Sequence, residues 1–149
     1  MEPDDDLAVK LSIYRTLSET GRAPTAVQVA AETRLGEEAV LASFQRLHAR
    51  RLLVPEPGDS SRIRMAPPFS GVPTAFPVEA LGRRYFANCV WDAYGIPAAL
   101  KCDALIPATD AASGEILTLE VREGAPVPLP YVAHFAVPAA LWWRDIVYT

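Results

Sequence analysis

No stretch of this sequence stays apolar for the roughly 20 residues that a membrane-spanning helix needs. Its acidic start, MEPDDDLAVK, lacks the basic-then-apolar pattern of a secretory leader. The chain therefore reads as cytoplasmic, with no membrane partner. Cysteine is scarce: Cys89 and Cys102 are the only two. A reducing cytosol argues against their pairing, and two thiols are too few for a structural zinc site unless histidine helps. Histidine is equally scarce, and neither His48 nor His134 has ligand-like spacing to a cysteine. No sign of charge dominates either. A net charge of -4 on 149 residues favours neither nucleic acid nor an anionic membrane. What is abundant is apolar side chain, at 50% hydrophobic against 21% charged, which marks a globular chain. The length allows one ordinary domain or two very small ones sharing a core. Proline is also abundant. Most of the 14 lie after residue 54, so long uninterrupted helices are not expected there.

Residues 7–54 read as helical. Leu7, Leu11, Tyr14 and Leu17 recur at three- and four-residue steps, an amphipathic stripe that Gly21 ends. Thr25 with Gln28 three residues on is a capping-box pattern for a second helix running to about Thr33. A third follows Gly36, with Glu37 and Glu38 at the positive end of its dipole and Val40, Leu41, Phe44 and Leu47 as its apolar face. Leu52–Val54 reads as a short strand, Pro55, Pro57 and Gly58 as a turn, and Ile63–Met65 as the returning strand. Three helices and a hairpin over residues 1–65 follow the winged helix-turn-helix plan, which often binds DNA. Nine Lys/Arg against ten Asp/Glu before residue 66 do not favour that use. Packing against the rest of the chain is the reading preferred for this unit. DNA remains an alternative partner, because Arg46, Arg50, Arg51, Arg62 and Arg64 cluster in sequence.

Residues 66–79 form a proline-rich link whose Phe69, Val72, Phe76 and Val78 call for burial. Residues 80–149 read as a small mixed α/β core, so the fold class is α+β. A helix is expected around Asn88–Tyr94, with Pro97 near its end or in a kink. Ala104–Ala108 and the alternating Ile116–Val121 are expected strands, joined by a turn at Asp110–Gly114. Tyr131–Val137 is another candidate strand, with His134 packed in it. Ile146–Tyr148 looks like the start of a last one. Trp142 and Trp143 would then point to opposite faces.

The segment densest in chemistry is RRYFANCVWDAYGIPAAL, residues 83–100. On a helix, Cys89 and Asp92 are three residues apart and share a face. A thiolate is a soft nucleophile and a ligand for soft metals. A carboxylic acid beside it can hold or deliver a proton. Phe86, Trp91 and Tyr94 are candidates to exclude water. The bland alternative is a buried cysteine near a locally bonded aspartate.

The wording of this segment resembles the core of the organomercurial (alkylmercury) lyases. The basic-aromatic lead-in and cysteine with an aspartate three residues later are present as RRYFANCVWD. They are followed by GIPAAL and by the small-residue turn ATDAASG at residues 108–114. The resemblance implies an α+β fold with a winged-helix-like N-terminal domain. It also implies cleavage of carbon–mercury bonds by protonolysis. Cys89 would be the mercury-binding nucleophile and Asp92 the proton relay and donor, both close to the metal. No organic cofactor is implied. Hg(II) remains on sulfur as bound product, and small thiols help remove it.

Two departures stand out. The family has a second catalytic cysteine on a later strand, and these 149 residues contain no match for it. One alignment makes WWRDIVYT (residues 142–149) the lead-in to that cysteine, expected just after Thr149, with the family's final strand and helix beyond. The other places YVAHFAV (131–137) on the cysteine strand, with Leu129 or Pro130 in the cysteine's place. Cys102 is a possible substitute if the fold returns it to Cys89. Asp110 stands where the family often has a further cysteine, and is expected to cap the turn or pair locally. Arg83 and Arg84 could depress a cysteine pKa, though solvation or carboxylate pairing is the simpler role. Three other readings stay open. One is a non-catalytic binder of a soft metal or small hydrophobic ligand, and one is a winged-helix regulator. The third is an interaction protein that forms a homodimer through a sheet edge near Thr149.

Overall fold

The computed structural model describes residues 3–148. Three helices come first: α1 (Pro3–Thr20), α2 (Ala26–Thr33) and α3 (Glu37–Ala49). The capping box forms as expected. The Thr25 N–H donates to Gln28 Oε1 at 2.8 Å, and the Gln28 N–H donates to Thr25 Oγ1 at 3.4 Å. On α3, Val40, Phe44 and Leu47 are buried.

The buried stripe of α1 is only partly the expected one: Leu17 is buried and Tyr14 packs against the core. Leu7 and Leu11 are exposed, while Val9, Ile13 and Leu17, at four-residue steps, enter the core with Asp6 and Ser12. The face is decided by what α2 and α3 offer it. Ser43 Oγ donates to Asp6 at 2.7 Å, Arg46 Nε bridges both carboxylate oxygens at 3.1 Å, and Ser12 Oγ donates to Glu32 at 2.7 Å. Polar groups with partners can be buried where unpartnered ones cannot. Arg46 near the end of α3 holds the Asp6 carboxyl below its ordinary range, partly offset by burial.

A three-stranded antiparallel sheet follows: β1 (Val54–Glu56), β2 (Asp59–Ala66) and β3 (Phe69–Ser70). The first strand starts two residues later than the sequence suggests and includes Pro55. An edge strand tolerates proline because one side of its backbone needs no partner. The expected link at 66–79 is partly strand, because β3 and the start of β4 (Pro77–Ala80) lie within it.

The second sheet has the order β5-β4-β6-β7-β8, with β5 Arg83–Phe86, β6 Ala104–Thr109, β7 Ile116–Arg122 and β8 Ala125–Pro126. Every pairing in it is antiparallel, so the mixture in this half is of helix with sheet. Leu119 and Val121 face inward on β7 and Ile116 outward, as the alternation predicts. A Phe69–Ala87 bridge joins the two sheets. One hydrophobic core runs from Val9, Ile13 and Phe44 to Val78, Tyr85 and Ile106. Each such side chain contributes about 1.5–3 kcal/mol by leaving water.

Tyr85 fixes how the helices sit on the second sheet. Its fully buried ring lies 5.8 Å from that of Phe69, and its hydroxyl donates to the Ser18 carbonyl at 2.8 Å. Tyr14 continues the stack, 6.3 Å from Phe69, and donates to the Pro67 carbonyl at 2.8 Å. β5 is therefore anchored to α1 immediately before the chain enters α4 (Val90–Leu100).

The C-terminal expectations are corrected. Residues 131–137 form no strand, and His134 is exposed rather than packed. Pro128, Pro130 and Pro138 flank the segment, remove donors and leave it without a ladder. Trp142 and Trp143 lie in a 3₁₀ turn, Ala139–Arg144, and 146–148 are turn. The edge strand expected there for pairing two copies is thus not formed among the described residues, and Thr149 lies outside them. No helix among the described residues is long and apolar enough to cross a membrane.

Candidate functional site

Cys89 is not inside α4 but is its N-cap, in extended conformation (φ -154°, ψ -179°). Asp92 sits in the first turn. Pro97 does not stop the helix, which continues to Leu100, a turn and a half beyond the expected end at Tyr94. Proline removes one donor here, and the burial of Ile96 and Pro97 holds the last turn in place.

Cys89 and Asp92 line one cleft of about 400 Å³, between the start of α4, the second strand and the C-terminal segment. Both are partly buried. Burial raises the Cys89 pKa; the backbone N–H of Asp92 opposes this, and the Asp92 carboxylate adds to it. Asp92 is also raised by burial, and a hydrogen bond from Asn88 pulls it back. The resting pair is thus a protonated thiol beside a carboxyl that holds its proton more readily than a surface aspartate. Tyr14 feels the same carboxylate: burial raises its pKa first, and Asp92 raises it further.

Asn88 is a site residue that sequence reading missed. Its Nδ2 donates to Asp92 Oδ2 at 2.8 Å and to the Phe69 carbonyl at 3.3 Å. It therefore clamps the acid to the three-stranded sheet. Its Oδ1 is buried without a partner among the described residues. The signal available in the sequence was an amide four residues before the aspartate at a helix start, the i,i+4 spacing.

The water-excluding wall is not the expected one. Trp91 lines the cleft but is 72% exposed, and Tyr94 faces other hollows. Two residues along a helix turn a side chain by about 200°, so Tyr94 cannot share the Asp92 face. Phe135, Trp142, Trp143 and Ile146 supply the apolar wall. Trp142 is fixed by its indole N–H, which donates to the Val137 carbonyl at 2.7 Å, and by Phe135, 5.3 Å away.

The remaining candidates separate from this pair. Cys102 lies just past the C-cap of α4 and lines a different hollow. The helix between the thiols is about 16 Å long at 1.5 Å per residue, so Cys102 does not substitute at the Cys89 cleft. Both cysteines are free. Arg84 pairs with Glu79 across β4–β5 at 2.8 Å, and Arg83 is exposed. The Cys89 pKa is set instead by burial and by Asp92 and Trp91. Asp110 caps its turn, accepting from the N–H groups of Ala112 and Ser113 at 2.6 and 2.9 Å. Of the clustered arginines, Arg46 pairs with Asp6 and Arg64 with Glu56, which weakens the case for a DNA-binding surface. Three or more His, Cys, Asp or Glu side chains do not converge anywhere among the described residues.

Fold and cleft together define an α+β protein with a thiol–carboxyl pair at a helix start, walled by aromatics. The sequence model of the alkylmercury lyases (MerB) matches residues 69–149, more than half of the chain, and the chain belongs to that family. Among solved structures it is similar to the mercury-bound form of MerB2, with a TM-score of 0.65 and 23% identity. That likeness covers 86% of this chain and 60% of the other, so the chain spans about three-fifths of that protein's length. At this identity the likeness shows the fold. No curated protein matches the sequence.

Proposed function

We propose that the cleft cleaves carbon–mercury bonds by protonolysis, with Cys89 as mercury-binding nucleophile and Asp92 as proton relay and donor. The observation that carries this reading is the placement of both groups in one aromatic-walled cleft, with Asn88 holding the carboxyl. The Cys89 thiol gives its proton to Asp92 as its sulfur bonds mercury and displaces mercury's counter-ligand to solvent, a soft ligand meeting a soft metal. Sulfur ligation drives electron density toward the mercury-bound carbon. Asp92 returns the proton to that carbon, the carbon–mercury electron pair becomes the new C–H bond, and the hydrocarbon leaves. Hg(II) stays on sulfur. Net proton count is conserved, and no redox partner is needed. A second sulfur ligand strengthens the push. Cys102 is too far away to be it, and a small thiol supplies it in the assay below and carries the product off. Burial helps at both steps, because the thiol and carboxyl exchange a proton where competing water is reduced.

The test is headspace detection of benzene released from phenylmercury by the purified chain in excess small thiol. Cys89→Ala and Asp92→Asn are run alongside, with circular dichroism to check folding. Release that falls about a hundredfold or more in both variants is expected for loss of a nucleophile or a positioned acid. A folded parent that releases nothing overturns the proposal. If it still binds phenylmercury through Cys89, the non-catalytic soft-metal binder takes its place.

A further inference from the structure

Arg51 follows α3 in a Schellman arrangement. Its N–H donates to the His48 carbonyl at 2.8 Å, and the Leu52 N–H donates to the Leu47 carbonyl at 2.9 Å. Its backbone is left-handed (φ 61°), where glycine is the usual occupant. Arg34 and Lys101 cap α2 and α4 with the same handedness, so the backbone by itself assigns nothing. The side chain does. The guanidinium carbon lies 5.8 Å from the centre of the Trp143 ring, a cation–π distance. Trp143 is backed in turn by His48, 6.3 Å away. Arg51 and Trp143 both line the Cys89–Asp92 cleft.

The charge balance of the cleft is uneven. Arg64 also lines it, while Arg64's carboxylate partner, Glu56, does not. Arg46 and Arg84 have acidic partners within 3 Å, but Arg51 makes no ion pair among the described residues. Two arginines thus line the hollow, Arg64 paired with Glu56 and Arg51 with no ion pair among the described residues, against one carboxyl, Asp92. The planar guanidinium fork matches a carboxylate bidentately, and stacking on an aromatic face fixes its plane.

We propose that Arg51, held on Trp143, recognises an anionic substituent on the organic group, so that the cleft prefers arylmercurials bearing a carboxylate to neutral ones. This rests on Cys89 being the mercury ligand. The chain's three tryptophans, Trp91, Trp142 and Trp143, all line the cleft, so a mercury atom bound there quenches the intrinsic fluorescence whether or not turnover follows.

The experiment titrates the full chain with phenylmercury and with 4-carboxyphenylmercury by fluorescence quenching. A neutral small thiol is the competitor, so charge resides only on the organic group. The parent should bind the carboxylate about five- to tenfold more tightly, the range of a partly exposed charge-assisted contact. Arg51→Gly suits the left-handed backbone and should bring the ratio of the two affinities close to one. Arg51→Lys should keep part of the preference, and high salt should narrow it in the parent. A ratio near one in the parent, or an unchanged ratio in Arg51→Gly, overturns the proposal. Failure of the mercury-site reading has a different signature: neither compound binds, or Cys89→Ala binds both as the parent does. That result overturns the proposal as well.

Discussion

Gly21→Ala probes how the first helix is seated on the strand that leads into the site. Gly21 follows α1 with φ +72°, and a Cβ there would stand 2.5 Å from the Arg84 carbonyl oxygen and 3.7 Å from the Tyr85 ring. The left-handed backbone alone costs a non-glycine residue about 1–2 kcal/mol. The carbonyl belongs to β5, paired along β4 and anchored by Tyr85, so it cannot rotate away. Displacing packed backbone adds about 1–3 kcal/mol. The sum, about 2–5 kcal/mol, is a large part of the roughly 5–15 kcal/mol that holds a domain folded. Gly58→Ala is the control, because Gly58 has φ +81° but nothing within 4 Å of a Cβ. It should lose only the left-handed cost, about 1–2 kcal/mol. Urea unfolding followed by tryptophan fluorescence measures both. Because β5 leads through Ala87 to Asn88 and Cys89, Gly21→Ala should also change the rate of Cys89 alkylation, and Gly58→Ala should not. Equal losses from the two substitutions would refute the close seating of α1 on β5.

Asn88→Ala removes the bond that stabilises the charged form of Asp92, so the Asp92 pKa should rise further. In the proposed mechanism Asp92 is ionised when it takes the thiol proton, so the rising limb of the pH–rate profile should move to higher pH. A limb that stays in place in a folded variant argues against the clamp. Asp6 is depressed by hydrogen bonding to Arg46, so its contribution is present above the unfolded value near ~3.9 and lost as pH falls through the lower folded value. Asp6→Asn should therefore cost about 1–2 kcal/mol at neutral pH, with the gap closing in acid. A gap independent of pH in thermal melts would contradict that origin. Cys102→Ser should leave phenylmercury binding and benzene release within about twofold of the parent, since about 16 Å of helix separates it from Cys89. A loss as large as that of Cys89→Ala would show that the two thiols meet.

Features set by neighbours three or four residues away were legible in the sequence. The Thr25–Gln28 box, the start of α3 after Gly36, the Asp110 turn and the alternation along Ile116–Val121 are of this kind. Their hydrogen bonds and their periods of 3.6 or 2 are local, so the residues that make them are adjacent in the chain. The Cys89–Asp92 pairing was legible for the same reason.

What the tertiary structure decided is which partner each face meets. Leu7 and Leu11 satisfy the helical period yet stay in solvent, because Ser43, Arg46 and Glu32 receive the polar side of α1 instead. Residues 131–137 alternate like a strand but find no edge to pair with. The wall of the cleft comes from Phe135, Trp142 and Trp143, more than forty residues beyond Cys89, and the arginine stacked on that wall is Arg51, nearly forty before it. Asn88 becomes a clamp only because Phe69 presents a carbonyl to it across the two sheets. The sequence by itself determined the local elements and the Cys89–Asp92 pair. Long-range packing determined the pair's burial, its proton affinity and the lining of the cleft around it, because desolvation and charge depend on atoms brought near by folding rather than by the chain.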